Sequence, residues 1–281
     1  MKKLLVVSAM IAVMLPLLAQ SPAALPTAAN DQAAVAFTQA AASQVPSITT
    51  LRRAGPPTGP VPRLPDGTVD LTGVWVGGGP ISDLEEDGGL KRGEVDSLLL
   101  PWAKALMATR DVTQEPHNQC LPMGVPRTTP FPFRFVQTPT HKAATHIFIL
   151  HEGNIHSYRQ VFMDGRKHPA ELDPAWFGHS IGSWEGDTLV IDTVGFNDKF
   201  WFDRRGTPHT EQLHSIERWT RLDMGHMEHK LTIDDPGAYS RPFTLAFSVR
   251  LSTDDELLEY ICQENNQFGF GNGRTNPYAV R

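Results

Sequence analysis

The chain has 281 residues, 40% hydrophobic and 20% charged, enough for one large folded domain with a substantial core. Its formal net charge of −6 argues against a nucleic-acid binder, which would carry a clustered basic face. Glycine and proline number 23 each, so turns and irregular connections should be frequent, as in many β proteins.

Met1-Lys2-Lys3 is a basic start, followed by an apolar run over 4–19 and small residues at Ala19, Ala23 and Ala24. This is the pattern of a cleaved secretory signal, here over 1–23, and it predicts a periplasmic or secreted bacterial protein. The run is shorter than the roughly 20 apolar residues a membrane span needs. With no cysteine near the cleavage region, no lipid anchor is expected after cleavage. Residues 24–64 are rich in Ala and Pro and read as a largely disordered linker, which wraps the domain or stays mobile.

Ordered structure should begin at Pro65, with Leu71-Thr72-Gly73-Val74-Trp75 as the first strand and a helix over 97–110, placing Leu98, Leu99, Trp102 and Leu106 at helical spacing. Short apolar-alternating segments then recur at 133–137, 145–151, 155–163, 179–185, 188–194, 210–220, 226–234, 243–251 and 256–263, separated by turn residues. Such spacing predicts an all-β domain over 65–266, an antiparallel meander closing into a barrel. Residues 267–281 read as a flexible Gly-rich tail. In an oxidising compartment the two cysteines, Cys120 and Cys262, most simply form a disulfide, and two free buried thiols are the alternative. Closing so long a loop contributes about 4–5 kcal/mol in the chain-entropy model.

Ten of the eleven histidines fall between His141 and His229, and histidine is the side chain most readily used as acid, base or metal ligand near neutral pH. In the strand reading His156, Tyr158 and Gln160 share one face, while Arg159 lies on the other. His156 and His214 are candidate proton acceptors, Tyr158 a donor, Arg159 an anion-binding group, and Asp192 a carboxylate that orients a histidine or pairs with Arg159. Gln160, His179, His209 and Gln212 are candidate substrate contacts, with Phe200 and Trp201 as apolar contacts on a mouth loop. His168 reads as a solvent-exposed loop residue or a further member of the site. No helical zinc signature is present, although His156, His209 and His214 could converge from different strands on zinc or another divalent metal. Phosphoryl transfer, nucleotide-dependent redox and serine hydrolysis are not expected.

Several of these stretches together resemble a large family of exported bacterial proteins. They are Asp70 to Trp75, Cys120 to Arg127, Gly153-Asn154-Ile155-His156-Ser157-Tyr158-Arg159-Gln160 with Asp164-Gly165-Arg166, Gly178-His179-Ser180-Ile181-Gly182 with Trp184-Glu185-Gly186-Asp187, and Pro208 to His214. The resemblance spans about Pro65 to Asn266 and brings no activity with it. The Gly-x-Trp strand is also similar to the opening strand of lipocalin-like barrels, which implies a Trp closing one barrel end. The residues point to an exported enzyme doing cofactor-independent acid–base chemistry, of lyase or isomerase type, on a small, partly apolar oxygenated molecule. A lipocalin-like carrier of a hydrophobic ligand and a metal-dependent hydrolase are the alternatives.

Overall fold

The alternation of apolar and polar residues from Phe133 onward builds strands because each β residue turns its side chain to the opposite face from its neighbour. The computed structural model describes residues 55–137, 145–153 and 157–262. It shows a closed barrel of nine strands in sequence order: β1 Val74–Gly77, β2 Phe133–Val136, β3 His146–His151, β4 Tyr158–Phe162, β5 His179–Glu185, β6 Thr188–Val194, β7 His214–Arg221, β8 His226–Asp234 and β9 Phe243–Ser252. The all-β barrel is therefore the fold. The signal segment, His141, His156 and the tail from residue 263 lie outside the described residues.

Three elements differ from the sequence reading. First, β4 and β5 run parallel, Val161 opposite Ser180 and Phe162 opposite Ile181, so the meander is interrupted once. A parallel pair needs a crossover, and residues 163–178, with Pro169 and Pro174, provide it. Gly182 permits the close approach, since a Cβ there would meet the Met163 sulfur at 2.5 Å and Val161 at 2.7 Å. Second, residues 256–262 form no strand. The edge of β9 is already taken by β1, from Val74 opposite Ser252 to Gly77 opposite Val249, so a tenth strand has no partner. Third, the helix is shorter than 97–110. A one-turn α1, Leu84–Asp87, precedes α2, Pro101–Thr109, and Leu99 is spent on a bridge to Tyr239.

Cys120 and Cys262 are bonded. The bond joins the loop before β2 to the segment after β9, rather than to a last strand. Residues 55–64 lie along the barrel: the Met224 amide donates to the Gly59 carbonyl at 3.0 Å, and Arg63 pairs with Asp187 at 2.6 Å.

The interior is layered. One end is packed by Trp75, Phe133, Phe135 and Trp219, the last two rings 5.4 Å apart and edge to face. Trp75 is fully buried, its indole N–H on the Leu71 carbonyl at 2.8 Å and Arg221 over its ring. A second apolar cluster joins β8 and β9 (Leu231, Ile233, Leu245) to Phe196, Phe200 and Ala103 of α2. Between the two, β3 to β8 each turn a buried polar residue inward: His151, Arg159, Ser180, Thr193, Ser215 with Glu217, and His229.

Candidate functional site

The strand alternation sets two polar surfaces back to back. Arg159 faces inward and is 1% exposed. Its guanidinium donates to Glu217 Oε2 at 3.0 Å and to the hydroxyls of Ser180 at 3.2 Å and Thr193 at 3.3 Å, and forms an ion pair with Glu217 Oε1 at 2.7 Å. Burial alone would raise the Glu217 pKa, but the Arg159 charge and hydrogen bond, with His229 nearby, outweigh it and hold the carboxyl below its ordinary range. His229 lies flat on Trp219, centroids 3.6 Å apart, and its Nδ1–H reaches the Gly78 carbonyl at 2.6 Å. Arg159 thus points into the barrel, as one of the two sequence readings allowed, but its charge is already matched by Glu217 and not by Asp192. The anion-binding role is corrected accordingly.

The outer face carries a second cluster of titratable groups. His179 opens β5, Asp192 sits near the end of β6 and His214 opens β7, all on the outer wall, with Ser180, Thr193 and Ser215 beside them turned inward. His214 Nε2 lies 2.8 Å from Asp192 Oδ1. His168, from the crossover after β4, places its Nε2 3.2 Å from the same oxygen and its Nδ1 2.8 Å from His179 Nδ1. Of the two sequence options for Asp192, orienting a histidine is the one realised, and it orients two.

Valence fixes the protons. A carboxylate oxygen can only accept, so both Nε2 atoms are N–H donors. A neutral His168 then has a lone pair on Nδ1, which accepts the Nδ1–H of His179. What remains is one lone pair on His214 Nδ1 and one on His179 Nε2, each a base. The His179 pKa is lowered, chiefly by burial.

An aromatic shelf adjoins the cluster. Phe162 stacks on His179 with centroids 5.1 Å apart, His146 packs on Phe162 at 5.1 Å, and Phe148 bridges His146 and Tyr158 at 5.9 Å each. Arg166 caps Phe162 at 3.9 Å and is held by Asp164 at 2.5 Å. Gln160 lies on the same outer face opposite Phe148, and Tyr158 is 57% exposed at the far end of β4. Tyr158 and His214 therefore share the outer wall, not an interior cup.

Four other candidates fall elsewhere. His209 is a core residue, 3% exposed, with its ring on Phe200 and Phe202 and Nε2–H on the Phe200 carbonyl at 3.0 Å. Burial lowers its pKa to about 4. Phe200 and Trp201 are 1% and 7% exposed, so they are core packing rather than lid contacts. Gln212 is exposed in the turn before β7, where Asp235 accepts from the Thr210 amide and hydroxyl at 2.6 Å each and delays the strand to His214. Among the described residues no three His, Cys, Asp or Glu side chains are placed to hold a metal ion. Of the set His156, His209 and His214, His156 lies outside the described residues and His209 is buried with its Nε2 on the Phe200 carbonyl.

Gly178-His179-Ser180-Ile181-Gly182 has the letters of a serine-hydrolase elbow. Ser180 instead lies within β5, its hydroxyl 2.9 Å from that of Thr193 and bonded by Arg159, so it has no strand-to-helix turn and no base. The residue that sequence reasoning underweighted is His168. Its signal was the Asp164-Gly165-Arg166-Lys167-His168-Pro169 run, which is read as a loop because nothing local shows that it folds back over β5. Compared with known protein families, characterised proteins and solved structures, the chain matches none.

Proposed function

We propose that the chain is an exported enzyme that moves protons on a small, partly apolar oxygenated molecule at the outer-wall cluster of His168, His179, Asp192 and His214. The observation that carries this reading is the single carboxylate oxygen of Asp192 placed between two imidazoles, at 2.8 Å and 3.2 Å. Such a carboxylate fixes each tautomer and strengthens the base on the opposite nitrogen, as in the Asp–His pairs of general-base catalysis. His214 Nδ1 is positioned to take a proton and His179 Nε2 to accept or return one, which is what a lyase or isomerase requires without a cofactor. Phe162 and Phe148 offer the apolar contact. The disulfide supports folding in an oxidising compartment, in keeping with the secretory signal read at the N-terminus. A carrier function inside the barrel is less favoured, because Trp75, Phe133, Phe135 and Trp219 fill one end of it.

Two measurements test the reading. Diethyl pyrocarbonate, which acylates free imidazole lone pairs, should modify His214 and His179 faster than the buried His209 and His229, as read by peptide mass spectrometry. Turnover of small oxygenated aromatics and terpenoids, followed by proton NMR in D₂O, should fall about 10²–10⁴-fold in Asp192→Asn and His214→Gln with folding intact. Rates within twofold of the unaltered chain in both variants would remove the cluster from the mechanism.

A further inference from the structure

On the far side of the barrel from the histidine cluster, β1 ends early. Its last pair is Gly77 opposite Val249, where a Cβ on Gly77 would meet the Ser248 carbonyl at 2.6 Å. At Gly78 the chain turns inward, its carbonyl accepting from the Thr129 hydroxyl at 2.8 Å and from His229 at 2.6 Å. The next segment to reach β9 follows α1, where the Gly88 carbonyl accepts the Ala246 amide at 3.0 Å. Between these two contacts an open groove of about 590 Å³ lies on the outer wall. Val76, Ala246 and Ser248 line it, each the outward neighbour of an inward-facing strand residue, and the small side chains of the last two leave its room. Pro130 and Ile81, the latter 44% exposed, add apolar surface.

The two ends of the groove carry opposite charges. Arg250 stands at one end, between Val76 on β1 and His226 on β8. Glu86 and Asp87 stand at the other, next to Gly88 and Gly89. Asp87 is committed, its Oδ2 accepting from the amides of Ile81 at 2.8 Å and Ser82 at 3.0 Å. His226 is committed through Nδ1 to Asp223 at 3.0 Å. Among the described residues the Arg250 guanidinium and the Glu86 carboxylate have no partner. A lone anion would meet the repulsion of Glu86 and Asp87, and a lone cation that of Arg250. A molecule with a negative end and a positive end meets neither.

Length selects among such molecules. Arg250 and Ala246 are four residues apart on β9, about 13 Å along the strand, and Glu86 lies near the Ala246 end. The two side chains reach toward each other, so the charges to be bridged are about 10 Å apart, the span of three extended residues. We infer that this groove binds a short peptide with free termini. Its carboxylate pairs with Arg250, its ammonium with Glu86, and its side chains lie against Val76 and Ile81. The site belongs to β1, β8 and β9, and it holds whether or not the histidine cluster on β5 to β7 is catalytic.

The test titrates the full chain at neutral pH and low salt, by calorimetry, with the tripeptide Ala-Leu-Ala, its N-acetyl form, its C-terminal amide and free leucine. The unblocked tripeptide should bind about tenfold more tightly than either blocked form, the effect of one charge-assisted contact. Free leucine, too short to reach both ends, should bind at least about tenfold more weakly than the tripeptide. Arg250→Gln and Glu86→Gln change exposed side chains and leave the fold intact. Arg250→Gln should bind the tripeptide and its amide alike, and Glu86→Gln should bind the tripeptide and its N-acetyl form alike. Equal binding of blocked and unblocked tripeptides to the unaltered chain, discrimination that survives in both variants, or no binding of the tripeptide would overturn the proposal.

Discussion

Inside the barrel Arg159, Ser180, Thr193 and Ser215 stand on β4 to β7, and one residue away on the outer face of the same strands stand Gln160, His179, Asp192 and His214. Both surfaces are polar and both contain an acid–base pair, yet they do different things. The inner set is dry. There Arg159 and Glu217 spend themselves on each other, and a buried pair of this kind holds a fold more than it performs chemistry. The outer set is half-exposed, with Asp192 38% and His214 36% accessible, and its hydrogen bonds leave lone pairs over. Residue type does not separate the two faces. What separates them is whether a group still has a valence to offer once the fold is formed.

The comparison breaks most visibly at Arg159. Replacing it with Met leaves the Glu217 carboxylate buried without its counter-charge, and stability should fall by about 3–5 kcal/mol in denaturant titration. The double variant Arg159→Met with Glu217→Leu should recover most of that loss, since two apolar groups need no partner. If the single variant costs less than about 1 kcal/mol, the inner face is not the structural element described here.

Acid separates the faces next. His151 and His209 have folded pKa values lowered to about 3 and about 4 by burial, against an ordinary value near 6.5. Between those limits the unfolded chain binds protons that the folded chain refuses, so stability is fully present above about pH 6.5 and is lost as pH falls. Each histidine steepens the loss by at most about 1.4 kcal/mol per pH unit. Denaturation at pH 7, 6 and 5 should show this slope, and His209→Phe should reduce it. A stability flat over that range would mean that the two rings titrate normally and are not sealed from water.

How far these faces were legible in the sequence follows from the range of the contacts. Period-2 alternation separates Arg159 from Tyr158 and Gln160 without any structure, and it likewise separates His179 from Ser180. It cannot say which face is inside when both are polar. That is decided by Glu217, 58 positions after Arg159. The pairing of Asp192 with a histidine was readable as chemistry, while its partner His168 was not, because it depends on a crossover that looks like a hairpin turn until β5 is seen to run parallel to β4. Phe200, Trp201 and His209 were misplaced for a related reason. An aromatic-rich loop reads as a lid, and only packing against α2, β8 and β9 shows it to be core.

The smallest stability effect, and the sharpest test of the outer face, is His168→Gln. The amide of glutamine can still donate to Asp192 but offers no ring nitrogen to accept the Nδ1–H of His179. The His168 contact with Asp192 is surface-exposed on the Asp192 side, so stability should change by less than about 0.5 kcal/mol. Catalysis should respond differently if His179 draws its basicity from His168. The rate should drop, and the acidic limb of its pH profile, which falls below pH 6.5 because the His179 pKa is lowered, should move. Losing the His168 acceptor weakens His179 as a base, so the limb moves if His179 works through His168, whereas a merely structural His168 would alter the rate with the limb in place. A moved limb together with unchanged stability assigns His168 to the proton path, and an unmoved limb leaves His214 and Asp192 as the working pair.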